Sequence, residues 1–311
     1  MVARSEHRPA LSLALGGGGA RGLAHLGVVE VLQDAGHRIQ QIAGVSIGSL
    51  AGALCAGSED IHDVQSRVVG YLTSQDFVTG QAALFQTAPQ ADEPAVSGFF
   101  AWYHQFRRYL GARRKLTGLV RSPALLKSEV LADIINHLLP DIDIADLTIP
   151  LKVVALDLLS GRRIVLTEGP LRKAVMASAA IPGVFPPVPW NSMLLCDLGV
   201  LDALPVNVAQ TGHCDLTVAV DVGAELEPIE SCPSALDVFL RLSDLGEPLV
   251  RQYTRRLADV VIRPHVANQP WFDFSDPARL VDCGRKAALQ SISTLRPRQT
   301  FRPHLDMRSV S

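Results

Sequence analysis

The sequence predicts an α/β protein with a mainly parallel central sheet, and three observations carry that reading. The run Leu11–Leu15 is apolar on both faces, the signature of a central parallel strand. Leu23, Leu26, Val29, Val31 and Leu32 then keep near-helical spacing up to Gly36. A second strand-like run, Ile39 to Val45, follows, completing a strand–helix–strand unit. In such sheets the functional groups gather at the carboxyl ends of the strands. Two conspicuous stretches fall at such ends, the loop Gly16–Gly19 and Gly44-Val45-Ser46-Ile47-Gly48.

The elements follow in order. Four glycines precede a helix expected over about Ala20–Ala35, and the apolar stretch Ser49–Ala56 reads as the helix after Ser46. Ser58-Glu59-Asp60 has cap chemistry for a helix to about Thr73. Regularity weakens from there to about Arg121, and Ser122-Pro123 is expected to open a helix ending near Leu138. Pro150 precedes a strand, Leu151–Leu158, and Ser160-Gly161 turns it into another, Arg162–Thr167. Gly169–Ala180 reads as a short helix, and the proline-rich run 181–189 as a rigid loop. Brief strands are expected at Met193–Cys196 and near Asp259–Arg263, with a stronger one at Leu216–Val222. Long helices are expected around Ala235–Ala258 and Pro277–Leu295. Neither repeats nor a linker stand out. We expect a loose N-terminus at 1–10, one domain over 11–295 with a lid-like insertion at about 75–128, and a loose tail at 296–311.

Composition bounds the partners. With 311 residues, 48% of them apolar and 19% charged, the chain is an ordinary globular protein with ample material for a core. A net charge of −2 argues against nucleic-acid binding. Five cysteines (55, 196, 214, 232 and 283) form no C-x-x-C pair, so reduced thiols in a cytoplasmic protein are expected, with no metal centre. Met1–Ala10 is too polar for a signal peptide. Ile39–Ser58 carries no charge, yet its glycines and serine fit a strand–turn–helix better than a membrane span. Residues 98–128 hold seven Arg or Lys, interleaved aromatics and no acid, which suits either a solvated loop or peripheral contact with an anionic membrane.

Gly-x-Ser-x-Gly between a strand and a helix is the context of a nucleophile elbow, in which a tight turn projects the Ser46 hydroxyl from the sheet. The flanking Gly44 and Gly48 would remove β-carbons that collide with neighbouring backbone. The bland alternative is close helix–sheet packing with no chemical role for Ser46. The glycine loop also has two readings. Gly17-Gly18-Gly19-Ala20-Arg21-Gly22 satisfies G-x-G-x-x-G, but the acidic residue that dinucleotide binding wants after the second strand is missing. Alternatively, the amides of Gly17, Gly18 and Gly19 converge as an oxyanion hole. Arg21 opposes the helix dipole, so it either orients this loop, meets an anion, or is a solvated surface residue. No histidine has a site-like context: His25 lies inside the first helix, and His37 and His62 look exposed. Asp197, at a strand end before Gly199, is the acidic residue that has one, and a carboxylate bonded to Ser46 could accept its proton.

The ordered set GGGGARG, GVSIG and a strand-end Asp resembles the patatin-like phospholipase family. Ala24–Val28, Ala177–Pro187 and Asp197–Val206 extend the resemblance over residues 11 to about 222. It implies a three-layer α/β/α fold, a Ser46–Asp197 dyad, and an oxyanion loop at Gly17, Gly18 and Gly19. Arg21, Gly22, Gly44, Gly48 and Gly199 are expected in support. The implied activity is metal-free, cofactor-free hydrolysis of lipid or lysolipid acyl esters. A silent lipid-binding protein on the same fold, or a dinucleotide enzyme, are the competing readings. Leu198 stands where the family usually has glycine, which would strain a left-handed backbone there. Val45 and Ile47 are bulkier than the residues usual beside the serine.

Overall fold

A computed structural model of the chain describes residues 8–57, 60–79, 124, 126–212, 214–224, 226, 228–266 and 269–295. Strand β1 (Ala10–Leu15) is followed by a 3-10 turn, Gly19–Leu23, and by α1 (Ala24–Asp34). The expected single helix over 20–35 is thus divided into a 3-10 turn, a common form at helix starts, and α1; the Trp271 carbonyl accepts the first-turn Ala20 N–H at 2.6 Å. Next come β2 (Arg38–Val45), α2 (Ile47–Ala56) and α3 (Ile61–Leu72). The Asp60 side chain caps α3 by accepting from the His62 N–H at 2.8 Å.

Helix α4 spans Ser128–Leu138 with Lys127 as its N-cap, later than Ser122-Pro123 suggested; residues 122 and 123 lie outside the described set. Strands β3 (Leu151–Asp157) and β4 (Arg162–Leu166) form the expected hairpin, turned at Gly161 with φ +68°. Helix α5 (Leu171–Ala179) follows. The end of the proline-rich run departs from a loop, since Val188–Trp190 forms β5 and pairs antiparallel with β6 (Met193–Cys196). Pro189 is tolerated because β5 ends the sheet order and its free edge needs no donor. The remaining elements are α6 (Val206–Ala209), β7 (Leu216–Val220), α7 (Ala235–Arg255), β8 (Val260–Ile262) and α8 (Pro277–Ser291).

The strands form one sheet in the order β5-β6-β3-β2-β1-β7-β8, with β4 on the remaining edge of β3. Strands β3, β2, β1, β7 and β8 are parallel, β4 and β6 run against them, and β5, antiparallel to β6, shares the direction of the parallel set. Helices α1, α2, α3, α5 and α8 cover one face over a core that includes Leu13, Leu15, Ile42, Val153 and Val218. The other face, lined by Ala14, Ala43, Val45, Val154 and Ala219, is closed by Leu198, Leu204 and α6. The sheet is therefore sandwiched between two helical layers.

One register detail positions the chemistry. Strand β2 pairs with β3 as far as Val45↔Val154 and stops. Strand β4 occupies the other edge, so β6 joins β3 on the vacated edge through Leu156↔Cys196 and Asp157↔Leu195. The residue after β6 is Asp197 and the residue after β2 is Ser46, so the register sets the two side by side.

Asp221, just after β7, anchors α7. It is 3% exposed and faces Arg251 at 3.6 Å, Arg263 at 3.7 Å and Arg255. Arg251 is itself 3% exposed, so neither partner is solvated in place of the other. Asp221→Ala leaves Arg251 with Glu247 at 3.4 Å and the Ala224 carbonyl but without its carboxylate at the end of β7, and is expected to destabilise the fold by ~3 kcal/mol. A urea titration checks this; an unchanged midpoint would show that α7 does not depend on the pair.

Candidate active site

Ser46 sits at φ 56°, ψ −129°, one of two non-glycine residues with positive φ among those described. Such a conformation costs on the order of 1–3 kcal/mol and persists only where the surroundings over-determine it. Here they do. The Ser46 N–H donates to Ser178 Oγ at 2.9 Å, and the Ser178 hydroxyl donates onward to the Val154 carbonyl at 2.6 Å. The Ser46 carbonyl accepts from the Ser49 N–H at 2.9 Å and the Ser49 hydroxyl at 2.6 Å. A β-carbon on Gly48 would lie 2.1 Å from the Leu15 carbonyl oxygen, and one on Gly44 2.3 Å from the Gly48 carbonyl oxygen. No side chain larger than hydrogen fits at either position.

Asp197 is 2% exposed. Its N–H donates to the Ala180 carbonyl at 2.9 Å, and its Oδ1 accepts the Gly199 N–H at 2.6 Å. Burial raises its pKa to about 6, against the opposing pull of hydrogen bonds from the Ser46 hydroxyl and the Gly199 N–H. A β-carbon on Gly199 would come 2.8 Å from Asp197 Oδ1 and 3.6 Å from Ser46 Cβ, so this glycine borders both groups. Leu198 is not among the positive-φ residues; it is buried on the α6 face, so the departure from glycine brings no left-handed strain.

The glycine loop lies across from this pair, with a Gly17 β-carbon position 3.3 Å from Ser46 Cβ. The Gly17 N–H, expected in the oxyanion hole, is already committed to the Ala203 carbonyl at 2.8 Å, and the Gly16 N–H to Val220 at 3.1 Å. The amides of Gly18 and Gly19 have no acceptor among the described residues. Arg21 braces the loop through Nε–H to the Gly18 carbonyl at 3.2 Å and Nη1–H to the Gln269 carbonyl at 3.4 Å. Burial, then the nearby Arg251, lowers its pKa to about 10, which leaves it cationic at neutral pH. Gly22 makes room for Ile47, whose Cγ2 would be 2.3 Å from a β-carbon there.

Two contributors had no assigned role from sequence. His25, fully buried, donates its Nε2–H to the Gly16 carbonyl at 2.8 Å and so holds the start of the loop. Burial pushes its pKa down to about 4, so it is neutral, and it makes no hydrogen bond to Ser46. Ser178 holds the elbow; it lay in the Ala177–Pro187 motif, but nothing local links it to residue 46. His37 is half-buried, contrary to the exposed position expected of it.

Beside Ser46 opens a cavity of about 1020 Å³. Ile47, Leu50, Ala51 and Leu54 give it one face of α2, and Leu131, Ile134 and Phe185 form part of the opposite wall. Helical rise carries this lining ~12 Å along α2 from the serine. Elsewhere, Glu30, Asp34 and His62 place ligand atoms within 4.8 Å of one another, but Arg285 and Gln65, each at 2.8 Å, already engage Glu30. The basic stretch expected at a membrane lies outside the described residues apart from 124 and 126–128. No helix among the described residues is long and apolar enough to cross a membrane.

A serine on a strained strand-to-helix turn, at the carboxyl edge of a mainly parallel sheet, places the protein in the α/β class built around a nucleophile elbow. The family model of patatin-like phospholipase matches residues 13–209, and the chain belongs to that family. An uncharacterized NTE family protein of Mycobacterium bovis is 32% identical over 226 residues, covering 72% of this chain and 52% of that protein. Lysophospholipase NTE1 of Yarrowia lipolytica is 28% identical over 72% of this chain and 13% of its own length. The chain thus spans about half, or less, of these curated relatives. The crystal structure of VipD from Legionella pneumophila aligns with 92% of this chain and 67% of its own, at a TM-score of 0.48 and 15% identity.

The raised Asp197 pKa has a consequence for stability. A carboxylate whose folded pKa, about 6, exceeds its ordinary 3.8 opposes folding increasingly as pH rises from the lower value through the higher. Asp197→Asn removes that charge and keeps an acceptor for Gly199. It is expected to raise Tm at pH 8 and to leave it nearly unchanged at pH 3.5; calorimetry at both pH values checks the sign.

Proposed function

We propose that the protein is a serine lipid acyl hydrolase, of phospholipase A or lysophospholipase type, using a Ser46–Asp197 dyad. The observation that carries this is the strained Ser46 hydroxyl facing a buried carboxylate at the mouth of a large apolar cavity. The relative named a lysophospholipase supports the same chemistry.

In the first half-reaction Asp197 accepts the Ser46 proton as Oγ attacks the ester carbonyl carbon. The N–H groups of Gly18 and Gly19 receive the developing oxyanion, each such donor being worth ~3 kcal/mol of barrier. Arg21 and His25 keep that loop in place from behind as positioning residues. The tetrahedral adduct collapses, the proton on Asp197 passes to the leaving alcohol oxygen, and the acyl group remains on Ser46. Water then attacks with Asp197 again as base, releasing the carboxylic acid and the free serine. The apolar walls suit an acyl chain; nothing in the pair needs a histidine, because the carboxylate contacts the hydroxyl directly. We place the reaction in the cytoplasm, with 98–128 as a peripheral contact to anionic lipid.

Hydrolysis of p-nitrophenyl acyl esters tests this. Ser46→Ala and Asp197→Asn are each expected to lower kcat by ~10³-fold or more. Wild-type kcat/KM is expected to fall below pH about 6, as Asp197 takes up a proton and ceases to be a base. A fluorophosphonate should label Ser46. Wild-type turnover in Ser46→Ala overturns the mechanism, and lipid binding without labelling or turnover would favour a silent lipid-binding protein.

A further inference from the structure

Residues 269–276, between β8 and α8, touch the glycine loop and the apolar cavity at once. On the loop side, the Trp271 carbonyl accepts the Ala20 N–H at 2.6 Å. Gly19, at φ +59°, passes so close that a β-carbon would lie 2.1 Å from that carbonyl oxygen. The Gln269 carbonyl accepts from Arg21, and the Gln269 side chain is fixed by Arg279 and by its own bond to the Asp273 carbonyl at 2.9 Å. On the cavity side, Trp271, Phe272 and Phe274 are part of the wall. From Phe274 a file of rings crosses to the helices opposite: Phe77 at 6.0 Å, then Tyr71 at 5.3 Å, then His137 stacked at 4.0 Å. This segment lies beyond residues 13–209, the stretch that the family model matches.

We infer that residues 269–276 are a specificity-determining wall that senses the acyl chain and transmits its presence to the Gly18 and Gly19 amides through the Trp271 carbonyl. The inference rests on the acyl-hydrolase reading above. A wall that merely bound the chain would stabilise ground and transition states equally and would lower KM alone. This wall shares a backbone hydrogen bond with the loop that receives the oxyanion. Filling the cavity packs Phe274 and Phe77, fixes the segment, and with it fixes the donors that act in the transition state. Acyl-chain length is therefore expressed in kcat. Phe77 and Phe274 determine specificity by touching the chain, and Trp271 acts as a positioning residue through its main chain.

The test compares p-nitrophenyl palmitate and butyrate in detergent micelles of fixed composition. Wild type is expected to show a higher kcat for palmitate, and Phe274→Ala and Phe77→Ala to reduce the palmitate-to-butyrate kcat ratio about tenfold. Phe274→Leu, which refills most of the volume, should restore much of the ratio, and Leu289→Ala, on the exposed side of α8, should leave it alone. A kcat ratio indifferent to both Phe→Ala changes, or a loss confined to KM, overturns the inference. Calorimetric titration of palmitate into Ser46→Ala and Ser46→Ala/Phe274→Ala separates the two readings. Binding weakened by the second change, with no esterase activity in wild type, would overturn the hydrolase reading and with it the coupling to kcat, leaving a wall that only binds the chain. Normal hydrolysis with a kcat ratio blind to Phe274 would keep the hydrolase reading and overturn the inference.

Discussion

The site depends on a single unfavourable backbone conformation and on what compels it. Ser46 stands in a region of φ and ψ that ordinary residues avoid, and it stays there because its N–H and carbonyl are both spoken for. The Ser178 hydroxyl relays between the Ser46 amide and the end of β3, so the turn is tied to the sheet from which it must project. Glycines at 44 and 48 let α2 leave the turn without striking β1. Relaxing any of these would let the turn unwind toward a commoner geometry and drop the hydroxyl back toward the strand.

The second constraint is electrostatic. A buried carboxylate next to a hydroxyl is an expensive arrangement, offset here by hydrogen bonds from Ser46 and Gly199. Because Asp197 is lifted toward neutrality, it becomes a better proton acceptor than an exposed aspartate while remaining ionised at neutral pH. Behind the loop, His25 does the opposite work: fully desolvated, it stays neutral and serves as a fixed donor to Gly16. The same low-polarity interior thus makes one group basic and removes charge from another.

Much of the fold could be read from local pattern. The strands read at Leu11–Leu15 and Ile39–Val45, each begun one residue earlier in the structure, the strand Met193–Cys196 and the cap at Asp60 follow from period, apolarity and cap chemistry. Where the reading failed, a distant partner had intervened. Trp271, some 250 residues on, accepts the first-turn Ala20 N–H at the 3-10 start of the first helix. Strand β6 recruits Val188–Trp190 from a proline-rich run that local rules assign to a loop. Gly17 fitted an oxyanion motif as well as its neighbours did, yet Ala203 takes its N–H.

The sequence by itself determined the α/β class, the serine turn, the candidate base and the glycine loop, because each is written in residues adjacent along the chain, where glycines, alternation and caps act over a few ångströms. Tertiary structure decided that Asp197 faces Ser46, which loop amides are left to donate, and that His25, Ser178 and Trp271 support the site. Those outcomes depend on strand register and on burial, and both are set only when segments far apart in sequence compete for the same edge, the same acceptor and the same water-free space.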